Sequence, residues 1–131
     1  MTLSIANRRY LVVFAVLAIA PARAEVLVDA AVLEALEHGR VRVIVALTLP
    51  DGFTPVGELS EAQAQAQGEA IAAAQEFVLA QLADTDARLL RRTKTAPFLA
   101  IEIGPDALAT LRGLPEQVKR VYPEGTAKPT Q

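Results

Sequence analysis

The chain has 131 residues, 52% of them hydrophobic, 21% charged and 5% aromatic, with a formal charge of −2, no cysteine and no tryptophan. That length holds one small domain, and the absence of cysteine beside a single histidine, His38, removes thiol nucleophiles, cysteine-type zinc sites, iron–sulfur clusters and disulfide scaffolds. The expectation is a protein that is not an enzyme, and the acidic balance argues against a nucleic-acid partner, which asks for a basic face.

Positions 1–24 have the organisation of a secretory signal peptide. Arg8 and Arg9 form a positive beginning, Leu11 to Ala20 is an unbroken apolar run of ten, and Ala22-Arg23-Ala24 gives the small-x-small pattern before Glu25. A permanent membrane-spanning helix needs about 20 residues, so cleavage after Ala24 is expected over retention as an anchor. Arg8-Arg9 fits a twin-arginine signal only loosely, which leaves the export route open. Cleavage takes away three basic residues and no acidic ones. The remainder, 131 less 24 or 107 residues, carries ten basic residues against fifteen acidic ones.

Residues 25–40 form a lead-in, a short helix or extended segment around Leu33 and Leu36 that closes at His38-Gly39. His38 is expected to serve the free carbonyls of that turn rather than to bind metal, for which the chain offers no partner ligands. Val41 to Leu47 alternates Val41, Val43, Val45 and Leu47 with Arg42, Ile44 and Ala46, the pattern of a strand. Pro50-Asp51-Gly52 breaks it, and the loop runs through Pro55 and Gly57. Ser60 with Gln63 is a capping box that opens a long alanine- and glutamine-rich helix, in which Ile71, Ala74, Val78 and Leu82 recur at helical spacing beside Phe77. Gly68 costs this helix about 1 kcal/mol relative to alanine, so fraying is expected before it.

Asp84-Thr85-Asp86 ends the helix as solvated turn formers. Arg88 to Thr93 is a second strand, in which Arg88, Arg91 and Arg92 with Lys94 form a basic cluster expected to be a solvated face. Phe98 to Ile103 is a third, with Leu99, Ile101 and Ile103 on one side and Phe98, Ala100 and Glu102 on the other. Gly104-Pro105 stops it and opens a helix along Ala107, Leu108, Leu111 and Leu114, which ends at Gly113 and Pro115. Val118 to Tyr122 is the last strand, and a polar tail is expected to be extended and mobile.

The predicted order is strand, helix, strand, strand, helix, strand. With right-handed crossovers this is a ferredoxin-like α+β fold, an antiparallel β-α-β-β-α-β sheet with two helices on one face. The other face is left open, with Ile44, Ala46, Phe98 and Ala100 pointing outward. An uncovered sheet face bearing such residues is a candidate protein-binding surface.

From Val41 to Gln131 the sequence resembles the subtilisin propeptide-like inhibitors, the family of subtilase prodomains and free-standing proteinase inhibitors. The resemblance is carried by Val41-Arg42-Val43-Ile44-Val45-Ala46-Leu47, by Ile71 to Leu82 and by Pro97-Phe98-Leu99-Ala100-Ile101-Glu102-Ile103. It is carried most specifically by the ending in which Leu108 and Leu111 look to the sheet, Pro115 stops the helix and Val118 and Val121 open the final strand.

The resemblance implies an exported inhibitor of a subtilisin-like serine protease, and a folding helper acting on it in trans. It implies that the open face, with Ile44, Ala46, Phe98, Ala100 and Glu102, docks on two surface helices of the protease. The tail Ala127, Lys128, Pro129, Thr130 and Gln131 then lies in the active-site cleft like a bound product, through β-augmentation at a raised effective concentration. Family members use two acids in the final strand to cap the protease helices. Glu124 falls where the second is expected, and Tyr122, which is not acidic, where the first often is. The implied organisation is an inhibitor domain over 41–124 and a flexible tail over 125–131, monomeric when free, with no cofactor, metal, nucleic acid or stable membrane anchor. Two other readings stand beside it: a prodomain separated from its own subtilase, and a non-inhibitory exported ferredoxin-like binding module. Nineteen of the 51 hydrophobic residues beyond position 24 are alanine, so the core is expected to be marginal without a partner.

Overall fold

The computed structural model describes residues 25–125. The expected signal peptide and the tail candidates Ala127 to Gln131 lie outside them. The fold is mixed α+β, with a five-stranded sheet and three helices. In chain order these are β1 (Leu27–Val28), α1 (Ala30–Leu36), β2 (Val41–Leu47), α2 (Glu61–Gln81), β3 (Arg88–Arg92), β4 (Phe98–Ile103), α3 (Pro105–Arg112) and β5 (Val118–Pro123). The sheet order is β1-β5-β2-β4-β3.

Three of the four strand pairs are antiparallel. β2 lies between β4 and β5, with Val43 opposite Ile101, Ile44 opposite Ala100 and Tyr122, and Ala46 opposite Phe98 and Arg120. β3 pairs with the far side of β4 through a bulge between Leu89 and Arg91. The fourth pair, β1 with β5, is parallel. This corrects the expectation of an antiparallel sheet with two helices, because the lead-in supplies both a strand and a helix. A two-residue strand is too short to show a period of two in the sequence, and α1 contributes only Val32 to the fully buried set. The backbone N–H of Asp29 continues the pairing by donating to Val121 O at 3.0 Å.

The inward positions of the strands meet the apolar sides of all three helices. Val43, Val45 and Leu47, with Leu99, Ile101, Ile103, Val118 and Val121, pack in one cluster with Val32 of α1, Val78 and Leu82 at the end of α2, and Ala107, Leu108 and Leu111 of α3. All three helices therefore occupy one side of the sheet. Each of the larger aliphatic side chains contributes about 1.5–3 kcal/mol by leaving water.

α2 opens on the expected capping box. Ser60 Oγ accepts from Gln63 N at 3.1 Å, and Gln63 Oε1 accepts from Ser60 N at 2.9 Å. The helix is unbroken from Glu61 to Gln81. Fraying before Gly68 is thus not what occurs: besides the cap, Gln67 exchanges two hydrogen bonds with the backbone of Thr54 (2.9 and 2.8 Å), holding that turn against the loop. Further along, Gln75 is 2% exposed, and both atoms of its amide are hydrogen-bonded. Its Nε2 donates to Thr93 O and Phe98 O (2.8 and 2.9 Å), and its Oε1 accepts from Arg92 Nε (3.1 Å). One buried amide therefore ties α2 to both ends of the β3–β4 connection.

Candidate protein-docking face

The face turned away from the helices is built by the same alternation that fills the core. With Val43, Val45 and Leu47 inward, Arg42, Ile44 and Ala46 are outward, and the register carries this across the sheet. One row runs Arg88, Glu102, Arg42; the next runs Arg91, Ala100, Ile44, Tyr122; a third runs Phe98, Ala46, Arg120. The middle of the face is apolar or small and its rim is charged. Ile44, Ala46, Phe98 and Tyr122 are half-buried, whereas Ala100 is only 3% exposed.

Arg91 is the neighbour of Ala100 on β3 and borders the same hollow. The Arg91 guanidinium pairs with Glu124 Oε2 at 3.0 Å, just beyond the far end of β5. Ile44, Ala100, Phe98 and Tyr122 line a shallow hollow of about 290 Å³ bordered by these two groups. Glu124 is fixed there by its backbone, whose N–H donates to Arg42 O at 3.0 Å. Gly125 follows with φ +87°, a left-handed turn that glycine enters without a steric penalty.

Three further ion pairs frame the face. Glu102 Oε1 accepts from Arg88 Nε at 3.2 Å and stands 3.6 Å from Arg40 Nε. The hydrogen bond from Arg88 holds the Glu102 carboxyl below the usual carboxylate range, with the charges of Arg88, Arg40 and Arg42 acting in the same direction against partial desolvation. At the other end Arg120 donates to both oxygens of Asp29 (2.9 and 3.1 Å) and lies 5.1 Å above the Tyr122 ring centroid, a cation–π geometry.

All five residues expected on the face, Ile44, Ala46, Phe98, Ala100 and Glu102, are brought together, and Tyr122 and Glu124 adjoin them on β5 and at its end. The basic cluster is solvent-exposed as expected, and Arg88, Arg91 and Arg92 are in addition paired with Glu102, Glu124 and Glu76. Sequence reasoning set Arg42 on the side of Ile44 and Ala46 but missed Arg91 and Arg120 as part of this surface. For Arg120 the signal was present, since it is two residues from Tyr122 in a strand of period two. His38 sits in the turn after α1 as expected, but the bond to a turn carbonyl, Ala35 O at 3.0 Å, is made by its backbone N–H and not by the imidazole.

Asp86 is a correction. Rather than a solvated turn former it is the cap of α3, with Oδ1 accepting from Ala107 N at 2.8 Å and Oδ2 from Asp106 N at 3.3 Å. Among the described residues no group of three or more histidine, aspartate or glutamate side chains is arranged to hold a metal ion. No described helix is long and apolar enough to cross a membrane. No family model, curated protein or solved structure matches the chain.

Proposed function

We propose that the protein is an exported inhibitor of a subtilisin-like serine protease, docking by the uncovered sheet face and placing its C-terminal tail product-like in the active-site cleft. The observation that carries this reading is the division of the sheet: all three helices pack on one side, and the other presents a half-buried apolar centre from Phe98 to Tyr122. A face of that kind gains by being covered. The chain also leaves β5 beside it, through Glu124 and Gly125, so a tail entering a cleft starts from the edge of the docking surface.

The finer description of the fold belongs to the same proposal. With β1 set aside, we read the remaining order β5-β2-β4-β3 as the fourth, first, third and second strands of a ferredoxin-like sheet. α2 and α3 are then its two crossover helices, and β1 with α1 is an addition at the β5 edge. In the docked state Glu124 exchanges Arg91 for the N-terminus of a protease helix, while Tyr122 supplies contact area in place of a second acid.

The test is inhibition. Residues 25–131 are expected to slow at least one of a panel of subtilisin-like proteases, and no effect at high micromolar concentration overturns the reading. Removing Ala127 to Gln131 is expected to weaken inhibition at least tenfold with the circular dichroism spectrum unchanged; equal potency would take the tail out of the cleft. The trans-acting folding role is measured separately, as the yield of active enzyme when a protease stripped of its prodomain refolds with and without this chain.

A further inference from the structure

Charge is segregated between the two sides of the molecule. Residues 25–125 contain nine arginines and lysines, and five of them, Arg40, Arg42, Arg88, Arg91 and Arg120, belong to the open face and its rim. Only three acids accompany them, namely Glu102, Glu124 and Asp29. The rest of the described chain holds the other four cations against twelve carboxylates. The open face is thus net positive on a strongly negative body.

The arrangement within the face sharpens this. Each acid is already engaged by at least one arginine, and Glu102 stands between two, Arg88 and Arg40. Arg42, exposed in the same row, forms no salt bridge with another described residue. The face therefore keeps cationic donors to offer after its own acids are satisfied, arranged around an apolar hollow. Such a rim repels a basic partner surface and steers an acidic one, and the negative body disfavours association in any other orientation.

From this we infer that the partner seated on the open face is a protein whose matching surface is acidic around an apolar contact. The inference rests on the proposed inhibitory function and deepens it by selecting, among subtilisin-like proteases, those with an acidic docking surface. A nucleic acid or anionic membrane is the lesser fit, because a face with so small a net charge, on an acidic body, neutralises few phosphates.

The experiment uses the full-length chain and two sets of active-site-blocked subtilisin-like proteases, of low and of high isoelectric point. Association is expected to be at least tenfold faster with the acidic set at 20 mM NaCl, and the advantage to collapse at 300 mM NaCl. Arg42→Glu is expected to slow it about tenfold, with Arg88→Gln as a milder second variant and Arg112→Glu, on α3, as a control without effect. Association indifferent to protease charge and to salt overturns this inference and leaves the inhibitor reading standing. If neither set binds, amide shifts of the labelled chain titrated with poly-L-glutamate decide it alone. Salt-sensitive shifts confined to Arg42, Glu102, Arg120 and Tyr122 support the acidic partner, whereas shifts on the helix side overturn it. Tighter binding at these residues to duplex DNA or phosphatidylserine vesicles than to poly-L-glutamate also overturns it.

Discussion

Asp86 and Gly104 act as one device although 18 positions separate them. α3 begins after Gly104, which has no side chain to cap it, and Asp86 supplies the missing carboxylate from the preceding turn. A Cβ on Gly104 would collide with the Asp86 carboxylate, while its φ of −114° is open to any residue. The glycine is therefore required for close approach, not for backbone conformation. Partial desolvation pushes the Asp86 carboxyl upward, but the N–H donors of Ala107, Asp106 and Gly104 outweigh it and hold the value below the ordinary one. With a lowered folded-state pKa, the cap contributes fully above the unfolded carboxyl's value of about 3.9 and is lost as pH falls through the folded value. Asp86→Asn is thus expected to lower stability by about 1 kcal/mol at pH 7 through the lost acceptor, and the gap in melting temperature should narrow as pH falls below about 3.9. Gly104→Ala should cost a similar amount in the parent and little once Asp86 is alanine. Equal costs in both backgrounds would show that the two positions are independent.

Elements of regular period were legible in the sequence, and those held by distant partners were not. β2 and β4 have the expected limits, Val41–Leu47 and Phe98–Ile103, because short runs rich in Val, Ile, Leu and Phe bounded by Pro and Gly mark them. The phasing of their faces was equally legible, since a one-residue slip would put Val43 and Ile101 in water. Ser60 and Gln63 announced the start of α2 for the same local reason. β1, the Asp86 cap and the buried role of Gln75 depend on contacts 17 or more residues away, which no local pattern encodes. Gly68 shows the limit from the other side. Its propensity predicted a weak turn, but the helix is carried across it by a cap before it and by Ile71, Gln75 and Val78 anchored after it. The cost is still present in the energy. A Cβ at Gly68 meets nothing within 4 Å and its backbone is helical, so Gly68→Ala is expected to stabilise the protein by roughly 0.5–1 kcal/mol. A urea midpoint that stays or falls would mean that an unhindered helical interior is not what this residue occupies.

At the scale of the whole molecule, the sheet is served unequally on its two sides. The helix side is sealed, with Val32 of α1 closing the core at the β5 edge and Arg120 holding Asp29 beside it. The other side spends Ile44, Phe98 and Tyr122 on a surface only half withdrawn from water, in a chain whose remaining apolar residues are rich in alanine. The exposed apolar area that weakens the free protein is the area a partner would cover, so stability and binding are linked through the same residues. A partner that binds only the folded state adds about 2.7 kcal/mol when its free concentration is 100 times its Kd. For a domain of about 100 residues, each kcal/mol corresponds to roughly 4–8 °C in Tm. The chain is therefore expected to melt at least 10 °C higher in complex with an active-site-blocked subtilisin-like protease than alone. In hydrogen exchange, the added protection should reach the core amides of β2 and β4 and not stop at the contact surface, because linkage raises the cost of global opening. Ile44→Glu should abolish the rise by placing a charge at the centre of the docking face. Equal melting temperatures with and without a demonstrably bound protease would show that the open face is stable in its own right and that its apolar centre is not coupled to the partner.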